Sequence, residues 1–514
     1  MASRAGGKSN GEKARRGGSS NNSGSRWKQT LVGVFVGVLV VLGATRAAQK
    51  ATSHTSSLRG SFETTTTKDI TVVTVVDTGA ASTTRGEEPR VEYLTIIDAG
   101  SSGCRAHVFS YTRLGLKAEV NPQHKSFKVK PGLSSYADAP EKAGESVVGL
   151  LEFISGEIPK EQRAESPIYL KATAGLRLVE PAKRTAILAS VAAVFESSEF
   201  AFDATDGAKV IAGTEEGGFG WMSVNFLMHS MDNKEPMGVV EMGGASAQVT
   251  QLFAKTDRDR LKKARKAGTI LELSKEMEGD VPEDSLFDFD MDGEHFDLYA
   301  HSYLGYGLEK AREAVTQYLT DNNFTEDPCV NAGFNADPSN PTVYDGILPG
   351  AGDAAKCADV VEKALFKDAD LQPSEIKCSY ASCSNIQGAY QPPHLADTKL
   401  LVFENFFYTY KMLGSNFDTP DGYSKASPSV CDKTYTALVD SEYPKDGSDK
   451  GDLTKLCFSA VYLPLFLEKG LNIPKDLHLT IQQDVGDFDI DWSLGAAIRE
   501  ANNLSTKQIA DNKL

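Results

Sequence analysis

The sequence predicts an α/β protein of two related lobes, and three observations carry that expectation. One strand–turn–strand pattern occurs twice, 143 residues apart, each copy ending its first strand at an acid before a Gly/Ser turn. The 514 residues suffice for two to four domains or one large bilobal body, at roughly 100–200 residues per domain. Hydrophobic residues at 40% and charged residues at 24% match an ordinary globular chain and exclude collagen-like, wholly disordered and wholly membrane-embedded classes. Formal net charge is −16, yet residues 1–28 carry seven Lys and Arg against Glu12, which leaves −22 on the remainder. A body that acidic argues against a nucleic-acid binder, because neutralising a phosphate backbone takes clustered Lys and Arg.

Residues 1–29 are Gly/Ser/Asn-rich and basic, too polar to pack a core. The run from Thr30 to Ala44 is uncharged and is closed by Arg46. It falls short of the ~20 residues of a full span, but shorter segments suit thin early-secretory membranes. Residues 30–45 are therefore expected to be an uncleaved membrane anchor; a signal peptide cleaved near Ala44, Ala47 or Ala48 is the rival. The positive-inside rule then puts the basic tail in the cytosol and the rest in a lumen or outside. Residues 46–90 read as a Ser/Thr-rich stem. The apolar stretch Leu456–Leu467 is too short for a second span and is followed at once by Glu468 and Lys469.

From Val91 the chain reads VEYLTIIDAGSSGCRAHVFSY. A β-branched run leads to Asp98, then a turn offering backbone N–H groups and the hydroxyls of Ser101 and Ser102, then a second strand. Small residues let such a turn approach and cradle phosphate oxygens. One such hairpin is a weak signal. The second, MGVVEMGGASAQVTQLF, places Glu241 before Gly243, Gly244 and Ser246. Two acid-Gly-Ser hairpins imply two lobes, each holding one side of a polyphosphate. Between them, IYLKATAGLRL is a strand ending at Thr173 with Arg177 beside it, and AGTEEGGFGWMSVNFL opens a helix with Glu215 and Glu216. A carboxylate near two phosphate loops is what hydrolysis needs to take a proton from water. The plainer reading is that paired acids favour a helix amino terminus.

All seven cysteines lie beyond residue 100, six of them from Cys329 onward. Six cysteines allow fifteen pairings, and short loops between neighbours close readily. Disulfides suit the secretory context better than zinc, since Cys378 and Cys383 have no second CxxC or His pair nearby. Asn323-Phe-Thr and Asn503-Leu-Ser are glycosylation sequons. Asp288-x-Asp290-x-Asp292-Gly293 imitates an EF-hand start, but its twelfth position is Tyr299 rather than a bidentate Glu, so calcium binding there is discounted.

The chain resembles the nucleoside triphosphate diphosphohydrolases, the apyrase and nucleoside-diphosphatase family. The segments that carry the likeness run in order as DAGSSGCR, ATAGLRL, GTEEGGFGW, EMGGASAQV, YAHSYLGYG, CSNIQGAYQP, FENFFYTY, CFSAVYLPLFLEKG and DWSLGAAI, over about 91–500. The resemblance implies the actin/Hsp70/sugar-kinase fold, two ribonuclease-H-like lobes around a central cleft. Lobe I is expected at 91–212 plus 482–514, and lobe II at 213–481. It makes Glu216 the catalytic base, with Ser246 and Gln248 placing the lytic water. Ser101, Ser102, Gly103, Thr173 and Arg177 would serve the phosphates on one side, and Gly243, Gly244, Ala245 and Ser246 on the other. A divalent cation, Ca²⁺ or Mg²⁺, would be held mostly through water by Asp98, Glu241 and Gln248, with Trp221 backing it. Tyr408 and Tyr462 fall in segments that offer aromatic surfaces to the base. The expected disulfides are Cys329–Cys357, Cys378–Cys383 and Cys431–Cys457, with Cys104 free.

Two positions depart from the family pattern. Glu241 stands where Asp is usual, and Cys104 where a hydroxyl residue is commoner. A weakened nucleotide-binding receptor, or an exopolyphosphatase sharing the two hairpins, is the alternative to a nucleotide hydrolase. The short anchor suggests a Golgi diphosphatase acting on GDP or UDP, with secretion or the cell surface as alternatives. The preferred base and the oligomeric state are not legible.

Overall fold

The computed structural model describes residues 61–67, 70–76 and 90–511, apart from 115–116, 232–234, 268–284, 292–293, 335–347, 367–381, 394 and 442–449. The expected tail and anchor at 1–45 lie outside the described residues. No helix among the described residues is long and apolar enough to cross a membrane. The chain divides into two units, Met1–Gly86 and Glu87–Leu514. In the first, β1 (Ser61–Thr67) and β2 (Ile70–Val76) form an antiparallel hairpin with Thr67 opposite Ile70. The sequence marks this stretch only as polar stem; its runs of Thr, Val and Ile favour extended, paired backbone and account for the hairpin.

In the second unit the first sheet contains β3 (Val91–Ala99), β4 (Cys104–Leu114), β5 (Lys117–Val120), β6 (Lys125–Val129), β7 (Ile168–Ala172) and β8 (Ala208–Val210). Their order is β5-β4-β3-β7-β8, with β6 also against β4. Strands β3, β4 and β5 are antiparallel, whereas β7 and β8 run parallel to β3. The second sheet contains β9 (Gly238–Met242), β10 (Ser246–Leu252), β11 (Leu286–Met291), β12 (Glu294–Leu304), β13 (Leu400–Glu404) and β14 (Leu479–Ile481). Its order, β11-β12-β10-β9-β13-β14, repeats the design: antiparallel β9, β10 and β12, then β13 and β14 parallel to β9. The recurrence of the sequence motif is thus a recurrence of topology.

Helices sheathe both sheets. On the outer face of the first, α1 (Val148–Glu157) and α2 (Pro181–Glu196) bury Leu150, Ile154, Ile187, Val191 and Phe195 against Ile97 and Leu170. Then α3 (Gly213–Leu227) leads into the second sheet, whose outer face is covered by α4 (Leu308–Asp321), α5 (Ala354–Leu365), α6 (Asn405–Met412) and α7 (Lys450–Leu465). The last helix, α8 (Trp492–Asp511), packs on α3 and on β3, β4 and β5. A third core fills the space between the sheets, where Ile96 and Phe109 of one and Leu401 and Phe403 of the other meet Phe219, Trp221, Trp492 and Ile498. Strand β13 shows the two-sided burial of a parallel sheet strand: Leu400 and Val402 face the outer core, Leu401 and Phe403 the central one.

After residue 482 the chain returns to the first sheet. Asn502 Oδ1 accepts from Ala118 N at 3.0 Å, and Glu500 pairs with the buried Lys171 at 2.7 Å. The stretch Leu456–Leu467, apolar in sequence, is core of the second lobe. Cys329–Cys357 and Cys431–Cys457 are disulfides, and Cys383 is disulfide-bonded; Cys378 lies outside the described residues. Cys104 is free and fully buried. Asp288 and Asp290 sit on β11 of a hairpin, with Asp290 against His295 at 2.7 Å, so strands adjoin the EF-like run among the described residues.

Candidate active site

The two turns face each other across one polar cavity of about 160 Å³. Asp98 lies next to last on β3, opposite Arg105; Glu241 lies next to last on β9, opposite Gln248. In the second turn every carbonyl is engaged. Gly243 O accepts from Leu308 N, Gly244 O from Glu309 N and Lys310 N, Ala245 O from Gly305 N and Ser246 O from Gly243 N. That leaves the N–H groups of Gly244 and Ala245 without a backbone acceptor among the described residues. The N–H groups from Gly100 to Gly103 likewise donate to no backbone carbonyl. A row of free N–H groups in a tight turn is an anion-binding concavity. The turns come close: a Cβ on Gly244 would sit 2.9 Å from Ser101 Oγ, which is why a glycine stands there.

Glu216 and Glu215 separate cleanly. Glu215 Oε2 accepts from Ala212 N at 2.9 Å and closes the first turn of α3. Glu216 is buried and lines the cavity, ion-paired with Arg177. Arg177 also donates to Ser302 Oγ at 3.0 Å; Gln248 Nε2 donates to the same oxygen at 3.2 Å and to Ser246 Oγ at 2.6 Å. One chain of hydrogen bonds therefore fixes the acid of α3 to the serine of the second phosphate turn.

The cavity is crowded with acids. Asp98, Glu216, Glu241, Glu404 and Asp491 line it, against Arg105 and Lys128. Burial, then Asp491 and Glu216, raise the Asp98 carboxyl well above its ordinary range. Burial, then Glu216 and Glu404, do the same to Glu241. Glu216 is raised by burial, with Arg177 opposing, and burial followed by Asp491 brings Glu404 to about 7. Among the described residues no three His, Cys, Asp or Glu side chains gather into a metal cage. Three buried oxygens, Asp98 Oδ1, Glu241 Oε2 and Gln248 Oε1, nevertheless have no hydrogen-bond partner. Asp98 and Glu241 line the cavity, whereas Gln248, expected at the site, is buried and does not line it. Once ionised, the two bare carboxylates would fit a hydrated divalent cation, whose waters would supply the missing donors.

Of the residues singled out in the sequence, Asp98, Ser101, Ser102, Gly103, Thr173, Glu216, Glu241 and Gly243 to Ser246 all line the cavity. Others fall elsewhere. Trp221 is fully buried in the central core against Phe289 and Phe296, and the tryptophan at the cavity is Trp492. Five residues along α3 rotate a side chain by about 140° from Glu216, to the opposite face. Tyr462 does not offer a base-stacking surface: it is fully buried on α7, stacked between Phe366 and Phe458, its hydroxyl donating to Tyr306 O at 2.5 Å. Tyr408 is 46% exposed and lines an adjoining cavity of about 360 Å³. Arg177 serves Glu216 rather than lining the phosphate cavity. Burial pushes the Cys104 thiol up to about 12, so it is an uncharged packing residue.

Arg105 and Lys128, the two cations of the cavity, were not read from the sequence as site residues. Lys128 Nζ donates to Ser102 Oγ at 3.3 Å. Arg105 directly follows the first motif's Cys104 and occupies the place that Gln248 holds in the second, which is the signal that could have found it. Lys128 sits on the polar strand β6 and carries no such signal.

The family model described as GDA1/CD39 (nucleoside phosphatase) matches residues 85–513. The chain is 30% identical over 453 residues to probable apyrase 6 of Arabidopsis thaliana, covering 82% of this chain and 75% of that one. It is 28% identical over 473 residues to a guanosine-diphosphatase of Schizosaccharomyces pombe, covering 85% and 79%. The crystal structure of nucleoside triphosphate hydrolases from Neospora caninum superposes with a TM-score of 0.53 at 15% identity, covering 81% of this chain and 93% of that one, a likeness of fold. With duplicated sheets, facing phosphate turns and a match that spans both lobes, the chain belongs to the GDA1/CD39 (nucleoside phosphatase) family.

Proposed function

We propose that this cleft hydrolyses nucleoside di- and triphosphates from the terminal position, releasing inorganic phosphate, with Glu216 as general base and Ca²⁺ or Mg²⁺ as the required cation. The observation that carries the reading is a buried acid, Glu216, tied through Arg177, Ser302 and Gln248 to Ser246 in one of two facing phosphate turns. The free N–H groups of both turns, with Lys128 and Arg105, hold the terminal phosphate. Glu216, in its ionised form, takes a proton from water as the water oxygen bonds to phosphorus. The bridging P–O bond breaks, and the shorter nucleotide leaves with the electron pair. Gln248, buried beside the cavity rather than lining it, acts through its hydrogen bonds to Ser246 Oγ and Ser302 Oγ. Asp98 and Glu241 would hold the cation, mostly through water, and it would supply charge neutralisation at the phosphate oxygens.

Phosphate release from GDP, UDP, ADP and ATP, with Ca²⁺ or Mg²⁺ and with EDTA, tests this. Release that EDTA abolishes is expected. Binding without release from any nucleotide would instead mean a receptor, and long-chain polyphosphate as sole substrate an exopolyphosphatase. The chain's disulfides and its Thr30–Ala44 run support a place in the secretory lumen behind an uncleaved anchor, with residues Asn323 and Asn503 glycosylated. Sequencing the mature amino terminus checks the anchor: a start just after residue 44 would end it.

A further inference from the structure

Glu404 ends β13 in a backbone conformation that side-chain-bearing residues avoid, φ 58° and ψ −124°. Such a corner suits glycine, and a glutamate held there is a mark of function rather than of folding. Its neighbours enforce the conformation. Glu404 N donates to Gln483 Oε1 at 2.8 Å, and Asn405 Nδ2 donates to Met242 O at 2.7 Å. The result delivers the Glu404 side chain into the cleft, where it lines both the 160 Å³ phosphate cavity and the 360 Å³ cavity beside it. It ion-pairs with no Lys or Arg among the described residues.

The two cavities are ordered. The Gly/Ser turns belong to both, Glu404 stands at their junction, and Tyr408, one turn further along α6, lines only the outer one. A nucleoside diphosphate has the same order: phosphates, then sugar, then base. A carboxylate only accepts hydrogen bonds. Phosphate offers it no donor and repels it, whereas the two hydroxyls of a ribose offer two donors side by side. Carboxylate recognition of a ribose hydroxyl is general chemistry in nucleotide sites.

We infer that Glu404 is a specificity residue that reads the ribose hydroxyls of the substrate, so that the enzyme selects ribonucleotides over deoxynucleotides and over inorganic polyphosphates. This rests on the proposed hydrolysis of nucleotides in the same cleft. The selection is carried by Glu404 itself, and the outer cavity otherwise needs only to admit the base.

The test compares kcat/KM for GDP, its 2′,3′-dideoxy counterpart and inorganic tripolyphosphate at pH 8, in the wild type, Glu404→Gln and Glu404→Gly. The glycine variant relaxes the corner and should melt no lower than the wild type, which keeps loss of function apart from misfolding. The wild type should prefer GDP to dideoxy-GDP by about tenfold or more, the worth of a hydrogen bond to a charged group. That ratio should fall towards one in Glu404→Gly and to an intermediate value in Glu404→Gln. A wild type that does not distinguish GDP from its dideoxy counterpart overturns the inference. So does a variant that loses activity on all three substrates alike with the ratio kept, which would place Glu404 with the cation's waters. A wild type inactive on every nucleotide overturns the hydrolase reading itself, an outcome separate from either of these.

Discussion

Glu215 turns back to the start of its own helix, while Glu216, about 100° further round, enters the cavity; a pair of acids that looks alike in sequence therefore divides into a cap and the proposed base. Sequence pattern put both at a helix amino terminus, and only the family likeness chose between them. The physical distinction is the partner: a backbone N–H for one, Arg177 for the other. Burial raises the Glu216 carboxyl, and Arg177 holds it down. The proposed base works ionised, so activity is lost as pH falls through this raised value, and the acid limb of kcat/KM, which reports the free enzyme, should lie above the ordinary carboxylate range. Arg177→Ala removes the opposing charge. It should move that limb to higher pH and lower kcat/KM more at pH 6 than at pH 8, by about 10²-fold where a positioned group is lost. Equal losses at both pH values would show that Arg177 does not set the protonation of Glu216.

At the scale of elements, the two hairpins were readable because a β-branched run, an acid and a Gly/Ser turn are local signals. The support beneath them was not. Helix α4 begins by donating its first N–H groups to Gly243 O and Gly244 O, a contact between segments some 60 residues apart that no local pattern encodes. Gly307 lets it come that near, since a Cβ there would lie 2.4 Å from Ala245 N and Ser246 N. Gly307→Ala should therefore push the second phosphate turn away, raising KM for nucleotide and lowering stability by about 1–3 kcal/mol as overpacking does. Gly156→Ala, on α1 with open space around it, should instead be neutral or stabilising. Equal melting temperatures and KM values for the two variants would contradict the part given to α4. Tyr462 and Trp221 show the converse limit: an aromatic in a signature segment reads as a site residue until its burial shows which face of the helix it occupies.

The unit Glu87–Leu514 is one supersecondary design made twice, three antiparallel strands followed by two parallel ones, with α3 and α8 packed together between the copies. The duplication was legible from the repeated acid-Gly-Ser hairpin. The return of the final segment to the first lobe came only from the family likeness, because a helix such as α8 carries no mark of which sheet it will cover. The arrangement brings two turns from two sheets to one cavity, with Glu216 of the helix between them lining it, and the proposed chemistry uses that meeting. The most direct measurement of that claim is phosphate release by Glu216→Gln, set beside Glu215→Gln, under saturating nucleotide and divalent cation. Both variants should stay folded and bind nucleotide, Glu216→Gln should lose about 10²–10⁴ in turnover, and Glu215→Gln should keep most of it. Folded variants that lose activity equally, or a Glu216→Gln enzyme that turns over normally, would contradict the account.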